Sequence, residues 1–538
     1  MPDRTSKRTS DRQKQRAGWR SMSRSEIMAI VGLVLVFLAF RWNGFTAAFE
    51  RDEGEYAYSA WLMRQGIMPY DHAFLQKPPM IIYTYIVGQW FSDESVVPPR
   101  VFATLVLGLS IMLLGMAVAR EKGVRAGIIS AWFATVMLTA PFLQPFAANT
   151  ELFMLLPLMG VVLLYAVGRG NAGGWSWFLA GVLAALAILY KPISLPVLLW
   201  IAVVWVFETW KADSRPRIVI ERFALACLGT VLAVGVVLLP FLRHDAGRSL
   251  RECIVAYNYA YAQSEWPGAS MLSFLAGEFF RYWWVHILLL AWYIIKRPTR
   301  WWFFLGLFVT AFLGVYKSMS GHYYFLLIPF WAAISALAIQ VIFDKLGRWF
   351  PQSAGTRRLI LVGIVLLLTA VPSYEEITLS PHDLVRLLYG GNPFNEAQAL
   401  SVHLRQESRP SDKVFIAGSE PEIFYYAKRQ SSTRFDIIYP LTINTPFAEQ
   451  YQNETIHSLE SDPPEFIVYT RAPTSWLISR QTPPLLMPYL NRIVLAQYHP
   501  VGGILYPTAT WLDSLSVLKA PQAVFGLFRR NAAVHRQP

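Results

Sequence analysis

The chain has 538 residues, of which 54% are hydrophobic and 15% charged, and its formal net charge is +13. Soluble domains carry about 25% charged residues, so this composition excludes an ordinary soluble protein. The apolar residues fall in blocks of about 20, the length of a helix that crosses a hydrocarbon core, which predicts a polytopic membrane protein. Most basic residues lie in short loops between these blocks, so the positive charge does not indicate nucleic acid as a partner. The two cysteines, Cys227 and Cys253, form neither a disulfide framework nor a metal-binding pattern.

The N-terminal segment 1–26 is polar and basic, and it precedes the first apolar block. The same order occurs in a signal peptide with a long n-region. We favour an uncleaved first span, because the apolar stretch continues through Trp42, Phe45 and Phe49.

The apolar blocks predict eleven membrane spans. They lie at about 27–46, 98–119, 124–142, 151–168, 174–190, 193–210, 219–242, 281–295, 301–316, 323–344 and 358–373. The connectors alternate between basic loops and loops poor in Lys and Arg, and the positive-inside rule places the basic set in the cytoplasm. The N-terminus is then cytoplasmic, and the chain after about residue 374 lies outside, on the periplasmic or lumenal face. The expected location is the bacterial inner (cytoplasmic) membrane.

The segment FERDEGEYAYSAWLMRQGIMPYDHAFLQKPP (49–79), here called the first loop, concentrates charged residues on the predicted outer face. Its residues 53–65 are predicted to form a helix, and the apolar segment 78–91 a second helix that is too short for a span. If residues 78–91 crossed the membrane, every later loop would lie on the side opposite to the one that its charge predicts. We therefore expect both helices to lie in the membrane interface, where the Tyr and Trp rings of the second suit the headgroup level.

Asp52 is predicted to cap the helix that begins at Glu53, with Glu55 completing a capping box. A capping role does not exclude chemistry, since a carboxylate fixed at a helix start is well oriented. Partial desolvation at a membrane surface raises a carboxylate pKa, so Asp52 can act as a base near neutral pH. Glu53 is either a second, supporting carboxylate or an acid that interacts favourably with the helix dipole.

Another acidic position lies at the start of the fourth span, where Asn149 precedes Glu151. Asn149 is a candidate helix cap, and Glu151 either stabilises the first turn or serves the site. An acidic residue at a span boundary, on the same predicted face as Asp52, is a functional candidate.

Four cationic or imidazole side chains share this predicted face: Lys77, Lys191, Lys317 and His322. Snorkelling to the interface explains any one lysine alone. Together, beside two carboxylates, they favour a phosphate site, because Lys and His bind phosphate through charge and hydrogen bonds. Cytoplasmic nucleotides do not reach this face, so the phosphate would belong to a lipid. The nearby aromatic run YNYAYAQSEW (257–266) suits either sugar rings or an interfacial aromatic belt.

From about residue 395 the sequence alternates between strand and helix patterns. Strands are predicted at 412–418, 434–440 and 464–470, and helices at 420–429 and 446–461. This order predicts a small α/β domain with a partly parallel sheet, which either covers the active face, contacts an acceptor or has a structural role.

The predicted fold is therefore mainly α: a transmembrane helical bundle of about 11 spans with interfacial helices and a C-terminal extracytoplasmic α/β domain. The predicted parts are a cytoplasmic basic tail (1–26), a membrane domain (27–375), a linker (376–394) and the extracytoplasmic domain (395–538).

The first loop combines an Asp-Glu start, a Tyr-Ala step, a Gly-x-x-Pro-Tyr turn and a Lys-Pro-Pro end. The residues of this motif are Asp52, Glu53, Glu55, Tyr56, Ala57, Gly66, Pro69, Tyr70, Lys77, Pro78 and Pro79. The pattern resembles the GT-C glycosyltransferases that use polyprenyl-phosphate sugars, in particular the protein O-mannosyltransferases and the lipid A aminoarabinose transferases. GHYYFLLIPF (321–330) is similar to the family's later His-Tyr segment, and NTELF (149–153) resembles the second acidic position of its bacterial branch. The resemblance covers roughly residues 45–375.

The resemblance implies that Asp52 is the catalytic acid/base residue, that Lys77 lies by the donor phosphate and that Glu151 supports the site. The predicted catalytic residues are accordingly Asp52, Glu53 and Glu151, and the predicted substrate-binding residues are Glu55, Tyr56, Tyr70, Lys77, Lys191, Lys317, His322 and Tyr323. Some relatives bind a divalent metal near this site; we assign no metal ligands and no cofactor here, and a metal requirement stays open. The expected partners are a polyprenyl-phosphate-linked sugar, membrane lipids and a lipid, glycan or protein acceptor.

The main alternative is a membrane transporter or lipid flippase with an outer accessory domain. That class favours charged or broken helices at mid-membrane and often internal repeats, whereas this chain keeps its charge at one surface. A sensor or scaffold whose outer domain is the working part would leave the charged first loop unexplained.

Overall fold

The structure is a computed structural model that describes residues 22–169, 173–212, 215–263, 269–298, 300–318, 320–349 and 354–531. Most of the predicted basic tail (1–26) lies outside the described residues. Parts of four predicted inner loops and of the aromatic run also lie outside them, namely residues 170–172, 213–214, 299, 350–353 and 264–266.

In the described chain before residue 371 the regular elements are helices. In chain order these are α1 (Arg24–Ala39), α2 (Arg51–Arg64), α3 (Met80–Phe91), α4 (Val97–Lys122), α5 (Val124–Met137), α6 (Thr150–Gly168), α7 (Gly174–Tyr190), α8 (Leu195–Ala212), α9 (Pro216–Arg243), α10 (Gly247–Arg251), α11 (Asn258–Gln263), α12 (Ala269–Lys296), α13 (Trp301–Val315), α14 (Ile328–Trp349) and α15 (Ala354–Ala370). Each predicted span contains one of them, and the two predicted helices of the first loop region are α2 and α3.

Seven segments of the described chain are long and apolar enough to cross a membrane. They are Arg24–Gly44, Val97–Lys122, Thr150–Gly168, Pro192–Ala212, Pro216–Arg243, Ile328–Lys345 and Gly355–Ser373. Three further apolar helices, α5, α7 and α13, are shorter. The chain is thus a polytopic helical membrane protein, as predicted, while the number of eleven spans stays a prediction.

Close backbone contacts hold neighbouring helices of the bundle together. A side chain at Gly127 of α5 would collide with the carbonyl oxygen of Gly115 in α4, and one at Gly181 of α7 would collide with Ala226 of α9. Small residues allow such contacts, which replace the hydrophobic driving force that is absent in lipid. The opposite side of α9 exposes Ile220 and other large apolar residues, as a lipid-facing surface requires.

The start of α2 corrects the predicted helix cap. The N-cap residue is Glu50, not Asp52, and it forms a capping box with Glu53: Glu50 Oε1 accepts from the Glu53 N–H at 3.2 Å, and Glu53 Oε2 accepts from the Glu50 N–H at 3.3 Å. The helix therefore begins two residues earlier than predicted. Asp52 therefore lies inside the first turn, and its side chain does not cap the helix.

Helix α2 is also more buried than an interfacial surface helix would be. Residues 53–60 are all buried, because helices α3 and α4 and the C-terminal part of the chain all pack against them. At Gly54 an added Cβ would lie 2.5 Å from the backbone nitrogen of Glu422, so the two backbones are in direct contact. Helix α3, in contrast, ends in the exposed rings of Trp90 and Phe91.

The C-terminal part is a mixed α/β structure, as predicted. Its elements are α16 (Glu375–Thr378), α17 (Pro381–Tyr389), α18 (Phe394–Glu407), β1 (Val414–Ala417), α19 (Glu422–Ala427), α20 (Tyr439–Thr442), α21 (Ala448–Ser461), β2 (Phe466–Thr470), α22 (Leu486–Gln497), β3 (Tyr498–Leu505), β4 (Trp511–Asp513), α23 (Ser514–Lys519) and β5 (Ala523–Arg530). The five strands form one sheet in the order β1-β2-β5-β3-β4. Strands β1 and β2 are parallel and the other pairs antiparallel, which confirms a partly parallel sheet.

The predicted strand at 434–440 is wrong. This segment enters no sheet and ends in α20, with Pro440 in the first turn of that helix. Its backbone groups bind other partners: the Arg434 carbonyl accepts from the Phe74 N–H at 2.7 Å, and the Ile438 N–H donates to Ser419 Oγ at 3.1 Å. Contacts with the first loop thus replace the pairing with a neighbouring strand.

Most of the buried apolar residues form a continuous core that runs from the helical bundle into the C-terminal α/β region (394–531), and Ala47, Ala48, Val385 and Phe394 form a small separate cluster. Phe74 of the first loop, for example, packs against Phe435 with ring centroids 5.4 Å apart. The predicted domain boundaries at 375 and 395 stay predictions.

Candidate active site

Asp52 and Lys77 face each other from the two ends of the first loop. Lys77 Nζ lies 3.8 Å from Asp52 Oδ1, and the two side chains are 15% and 23% exposed, so both are reachable by a ligand. Tyr70 fixes the turn before Lys77: its hydroxyl donates to the Lys77 carbonyl at 2.9 Å, and its own N–H donates to the Ala73 carbonyl at 2.8 Å. The sequence thus folds back on itself and presents an anion and a cation side by side.

A second cluster forms around Glu151, in the first turn of α6. Its buried carboxylate accepts from Lys191 Nζ and, at 2.8 Å, from Thr150 Oγ1, while His322 Nε2 lies at 3.4 Å. The Lys191 ammonium also lies 3.5 Å from the centre of the Tyr323 ring, a cation–π contact. Residues from the ends of α6 and α7 and from the turn before α14 therefore meet at one point.

Electrostatic interactions link the two clusters. Burial raises the pKa of Asp52, but the positive charge of Lys77, together with that of Lys191, outweighs burial and lowers the pKa below the ordinary value. The predicted raised pKa is therefore wrong, because the sequence does not show how many cations surround the carboxylate. Burial acts against the charge of Lys77, and the carboxylate of Asp52 overcomes this effect and raises the Lys77 pKa. At neutral pH the pair is consequently an ionised carboxylate beside an ammonium.

His322 differs from the lysines. Burial lowers its pKa more strongly than the nearby Glu151 carboxylate raises it, so the imidazole is neutral at neutral pH. Its other ring nitrogen, Nδ1, lies 3.1 Å from Gln144 Oε1. A neutral His322 contributes a hydrogen bond to this cluster, not a charge.

Glu55 and Tyr56 lie one turn further along α2. Burial raises the pKa of Glu55 well above its usual range, so its carboxyl group is neutral at neutral pH. Glu55 Oε1 and the Tyr56 hydroxyl are buried and have no hydrogen-bond partner among the described residues. The Tyr56 ring packs edge-on against Tyr85 at 5.7 Å.

Two predicted site residues have other surroundings. Glu53 is fully buried and its carboxylate accepts from Arg100 Nη2 at 2.6 Å, from Arg100 Nε at 3.1 Å and from the Ala148 N–H at 2.8 Å. These contacts anchor α2 to α4 and to the segment before α6. Lys317 lies exposed after α13, with Nζ 3.5 Å from the Ala262 carbonyl oxygen.

The chain is similar in fold to two enzymes of the GT-C superfamily, the lipid A aminoarabinose transferase ArnT and the oligosaccharyltransferase AglB. ArnT from Cupriavidus metallidurans bound to undecaprenyl phosphate matches with a TM-score of 0.61 at 13% identity, over 94% of this chain and 98% of that one. The same protein in the apo state gives 0.59 at 14% identity, with the same coverage. AglB from Archaeoglobus fulgidus, in complex with an inhibitory peptide and a dolichol-phosphate, gives 0.56 at 12% identity over 94% of this chain and 88% of that one.

No family model and no curated protein matches the sequence. The solved structures confirm the resemblance to GT-C enzymes, first seen in the first loop and two later segments, at the level of the fold and over nearly the whole chain.

The structure adds residues that the sequence did not reveal. Gln144 carries a positive φ of 53° and reaches His322, and nothing in its local sequence marks that role. Asn149 does stand at the N-cap of α6, as predicted, but its side chain makes no capping bond. Within the described ranges, no group of three or more His, Cys, Asp or Glu side chains could hold a metal ion.

Proposed function

We propose that this protein is an integral membrane glycosyltransferase that moves a sugar from a polyprenyl-phosphate donor to an extracytoplasmic acceptor. The observation that carries the proposal is the Asp52–Lys77 pair at 3.8 Å, partly exposed beside the Glu151 cluster. The fold supports it, since similar structures hold undecaprenyl phosphate in ArnT and a dolichol-phosphate in AglB. The acceptor is a lipid, a glycan or a protein.

Asp52 is the proposed base. It accepts the proton of an acceptor hydroxyl or amine while that group attacks the anomeric carbon of the sugar. An ionised carboxylate is required for this step, and the lowered pKa of Asp52 keeps it ionised at neutral pH. The proton then passes from Asp52 to water, which restores the carboxylate.

The leaving group is the polyprenyl phosphate, which departs from the opposite side of the sugar. Lys77 and Lys191 match the charge that develops on its phosphate. A single displacement inverts the anomeric carbon. A phosphate is a good leaving group at neutral pH, so the mechanism needs no general acid.

The remaining site residues have supporting roles in this proposal. Glu151 orients Lys191 and His322, Tyr323 supports the Lys191 ammonium with its ring, and Tyr70 fixes the backbone of Lys77. Glu55 Oε1 and the Tyr56 hydroxyl, which have no hydrogen-bond partner among the described residues, are proposed to contact the sugar or the acceptor. The N-terminus is proposed to be cytoplasmic and the C-terminal region to lie outside.

The test is the variant Asp52→Asn, assayed for transfer from a panel of polyprenyl-phosphate sugars to cell-envelope fractions. Because Glu50 and not Asp52 caps α2, this change leaves the helix start intact. Loss of a general base should lower the transfer rate by about a hundredfold to ten-thousandfold. Asp93→Asn is the matched control, since Asp93 lies after α3 and is 46% exposed in a weak pair with Arg64.

Wild-type transfer that persists in Asp52→Asn would refute the assignment of the base. Mass spectrometry of cell-envelope glycans after gene deletion would then identify the sugar and the acceptor. A deletion strain with unchanged glycans and lipids, together with a wild-type protein that transfers no sugar, would refute the proposed function itself.

A further inference from the structure

The C-terminal α/β region contacts the first loop next to both members of the Asp52–Lys77 pair. Arg51, which directly precedes Asp52, is bonded to Glu420. Phe74, three residues before Lys77, donates its N–H to the Arg434 carbonyl at 2.7 Å and to Asp436 Oδ1 at 3.1 Å. The two ends of the loop are thus held by one and the same part of the chain.

The Arg51 side chain contacts several groups and is largely shielded from water. Its Nη2 donates to Glu420 Oε1 and to Asn392 Oδ1, both at 3.3 Å, and its Nε donates to the Ser419 carbonyl. The guanidinium also lies over the Tyr439 ring, 4.8 Å from its centre. The Arg51 side chain is 13% exposed and that of Glu420 fully buried, so the pair is shielded from water.

Glu420 is itself held rigidly. It follows β1, and its carboxylate accepts from Thr470 Oγ1 at 3.0 Å and from Ser475 Oγ. Thr470 is the last residue of β2, the parallel neighbour of β1. Parallel strands end at the same edge of a sheet, and in open α/β sheets ligands bind at this edge. Here the edge presents the Glu420 carboxylate to Arg51.

We propose that the Arg51–Glu420 ion pair positions Asp52 against Lys77, which makes the C-terminal α/β region a part of the reaction centre. The proposal rests on the proposed function, since it assigns Asp52 a reacting role. Arg51 and Glu420 touch no substrate in it; they are positioning residues.

The geometry explains how such a pair acts. Arg51 and Asp52 are the first two residues of α2, so the direction in which Arg51 is pulled fixes the orientation of the first turn and with it the Asp52 carboxylate. The contact of Gly54 with the Glu422 backbone holds the same turn one step further on. A misplacement of about 1 Å at a reacting group can cost about a hundredfold in rate, so a small tilt of this turn suffices.

A buried ion pair is weak evidence for a role in stability, because desolvation of both charges offsets their attraction. An apolar pair of the same size would hold the two parts together about as well. The charged pair also fixes the orientation of the Arg51 side chain, since a guanidinium that donates to three acceptors can adopt only one orientation.

The experiment compares Glu420→Ala and Glu420→Gln with the control Glu94→Ala. Glu94 also joins the first part of the chain to the C-terminal region, through a 2.9 Å pair with Arg405, but both side chains are exposed. Steady-state transfer is measured for each variant, together with the pH dependence of kcat.

Glu420→Ala should lower kcat by at least about tenfold with little change in the donor KM, since the base is displaced and the phosphate contacts remain. The acid limb of the kcat profile should move to higher pH. The charged and titratable groups around Asp52 are Lys77, Lys191, His322, Glu151, Glu50, Glu55, Tyr56, Tyr261, Tyr389 and Tyr439. A displaced Asp52 loses part of the effect by which the lysines lower its pKa. Glu420→Gln keeps an acceptor for Arg51 and should recover part of kcat, while Glu94→Ala should match the wild type.

A purely structural role predicts a different result. Less folded protein would scale the whole kcat profile down and leave its acid limb in place, and that outcome would overturn the proposal. Unchanged kcat in Glu420→Ala would do so as well. Should Glu420→Ala fail to fold, Arg51→Lys replaces it, because it keeps the charge and loses the planar fork; it should show the same shift of the acid limb.

A readout that needs no activity separates this proposal from the proposed function. Hydrogen exchange of the peptide 50–62 should be faster in Glu420→Ala than in the wild type and in Glu94→Ala, because the first turn of α2 loses its hold. Unchanged exchange overturns the positioning role even if no donor is found. Conversely, an active wild type with an inactive Asp52→Asn and a normal Glu420→Ala would uphold the proposed function and refute only the positioning.

Discussion

Replacing Glu53 by Ala tests whether this residue anchors α2 or reacts. The change removes the carboxylate partner of Arg100, which is only 2% exposed and retains the carbonyls of Gly44 and Ala48 as acceptors. The Ala148 N–H loses its acceptor at the same time. A buried charge is thereby left without its counter-charge.

The magnitude follows from these contacts. Breaking a buried ion pair by removing one partner costs about 3–5 kcal/mol, and the two remaining carbonyls keep the value for Glu53→Ala inside that range. Glu53→Gln keeps the shape and an acceptor for Ala148 but loses the charge-assisted bonds, so we expect a loss of about 2 kcal/mol. Glu94→Gln, at an exposed pair, should change stability by less than about 0.5 kcal/mol.

The assay is equilibrium unfolding of the purified protein in detergent micelles, followed by circular dichroism, with transfer measured on the same samples. If Glu53 is an anchor, the activity of Glu53→Gln per folded molecule stays within about tenfold of the wild type, well short of the loss of a general base. A destabilisation of Glu53→Ala below about 1 kcal/mol would refute the reasoning from the Arg100 pair. Full stability with abolished transfer would instead favour the catalytic role that the sequence suggested.

Two further predictions concern the phosphate contact and the pH dependence of stability. Lys77→Met should raise the Kd for undecaprenyl phosphate by about tenfold or more, because one charge-assisted contact is lost. The Kd is measured by titration of the purified protein, with Lys413→Met, at an exposed ion pair, as the control. An unchanged Kd would exclude Lys77 from the phosphate site. Burial raises the pKa of Asp436 to about 7. The folded state thus holds a proton that the unfolded chain releases near pH 4, so the group makes stability fall as the pH rises from about 4 to 7. Asp436→Asn should flatten the decrease of Tm between pH 5 and 7, and an unaltered slope would contradict the burial effect.

Much of the architecture follows from the sequence, because each signal is local. Apolar blocks and their basic connectors place a helix in every predicted span, and the strand patterns at 412–418 and 464–470 give β1 and β2. The motif residues Asp52 and Lys77 do come together in the structure. The prolines after Lys77 and the turn at Tyr70 determine the path of the first loop through local interactions.

The features that the sequence analysis missed lie beside contacts between residues that are far apart in the sequence. The segment 434–440 has the composition of a strand, yet its carbonyl at Arg434 bonds to Phe74, some 360 positions away. The helix cap is Glu50, whose capping box with Glu53 forms beside the pair of Glu53 with Arg100, 47 positions away. The Arg51–Glu420 pair spans 369 positions and leaves no local trace.

The start of α2 carries four acidic side chains within six residues, and the structure gives each of them a different environment. Glu50 caps the helix, and burial raises its pKa to about 8. Glu53 is buried with both oxygens bonded, and burial keeps Glu55 protonated. Asp52 alone among the four combines a lowered pKa with a partly exposed carboxylate. A base must be both ionised and within reach of its substrate, so the surroundings of the other three acids support the proposal that Asp52 is the one that reacts.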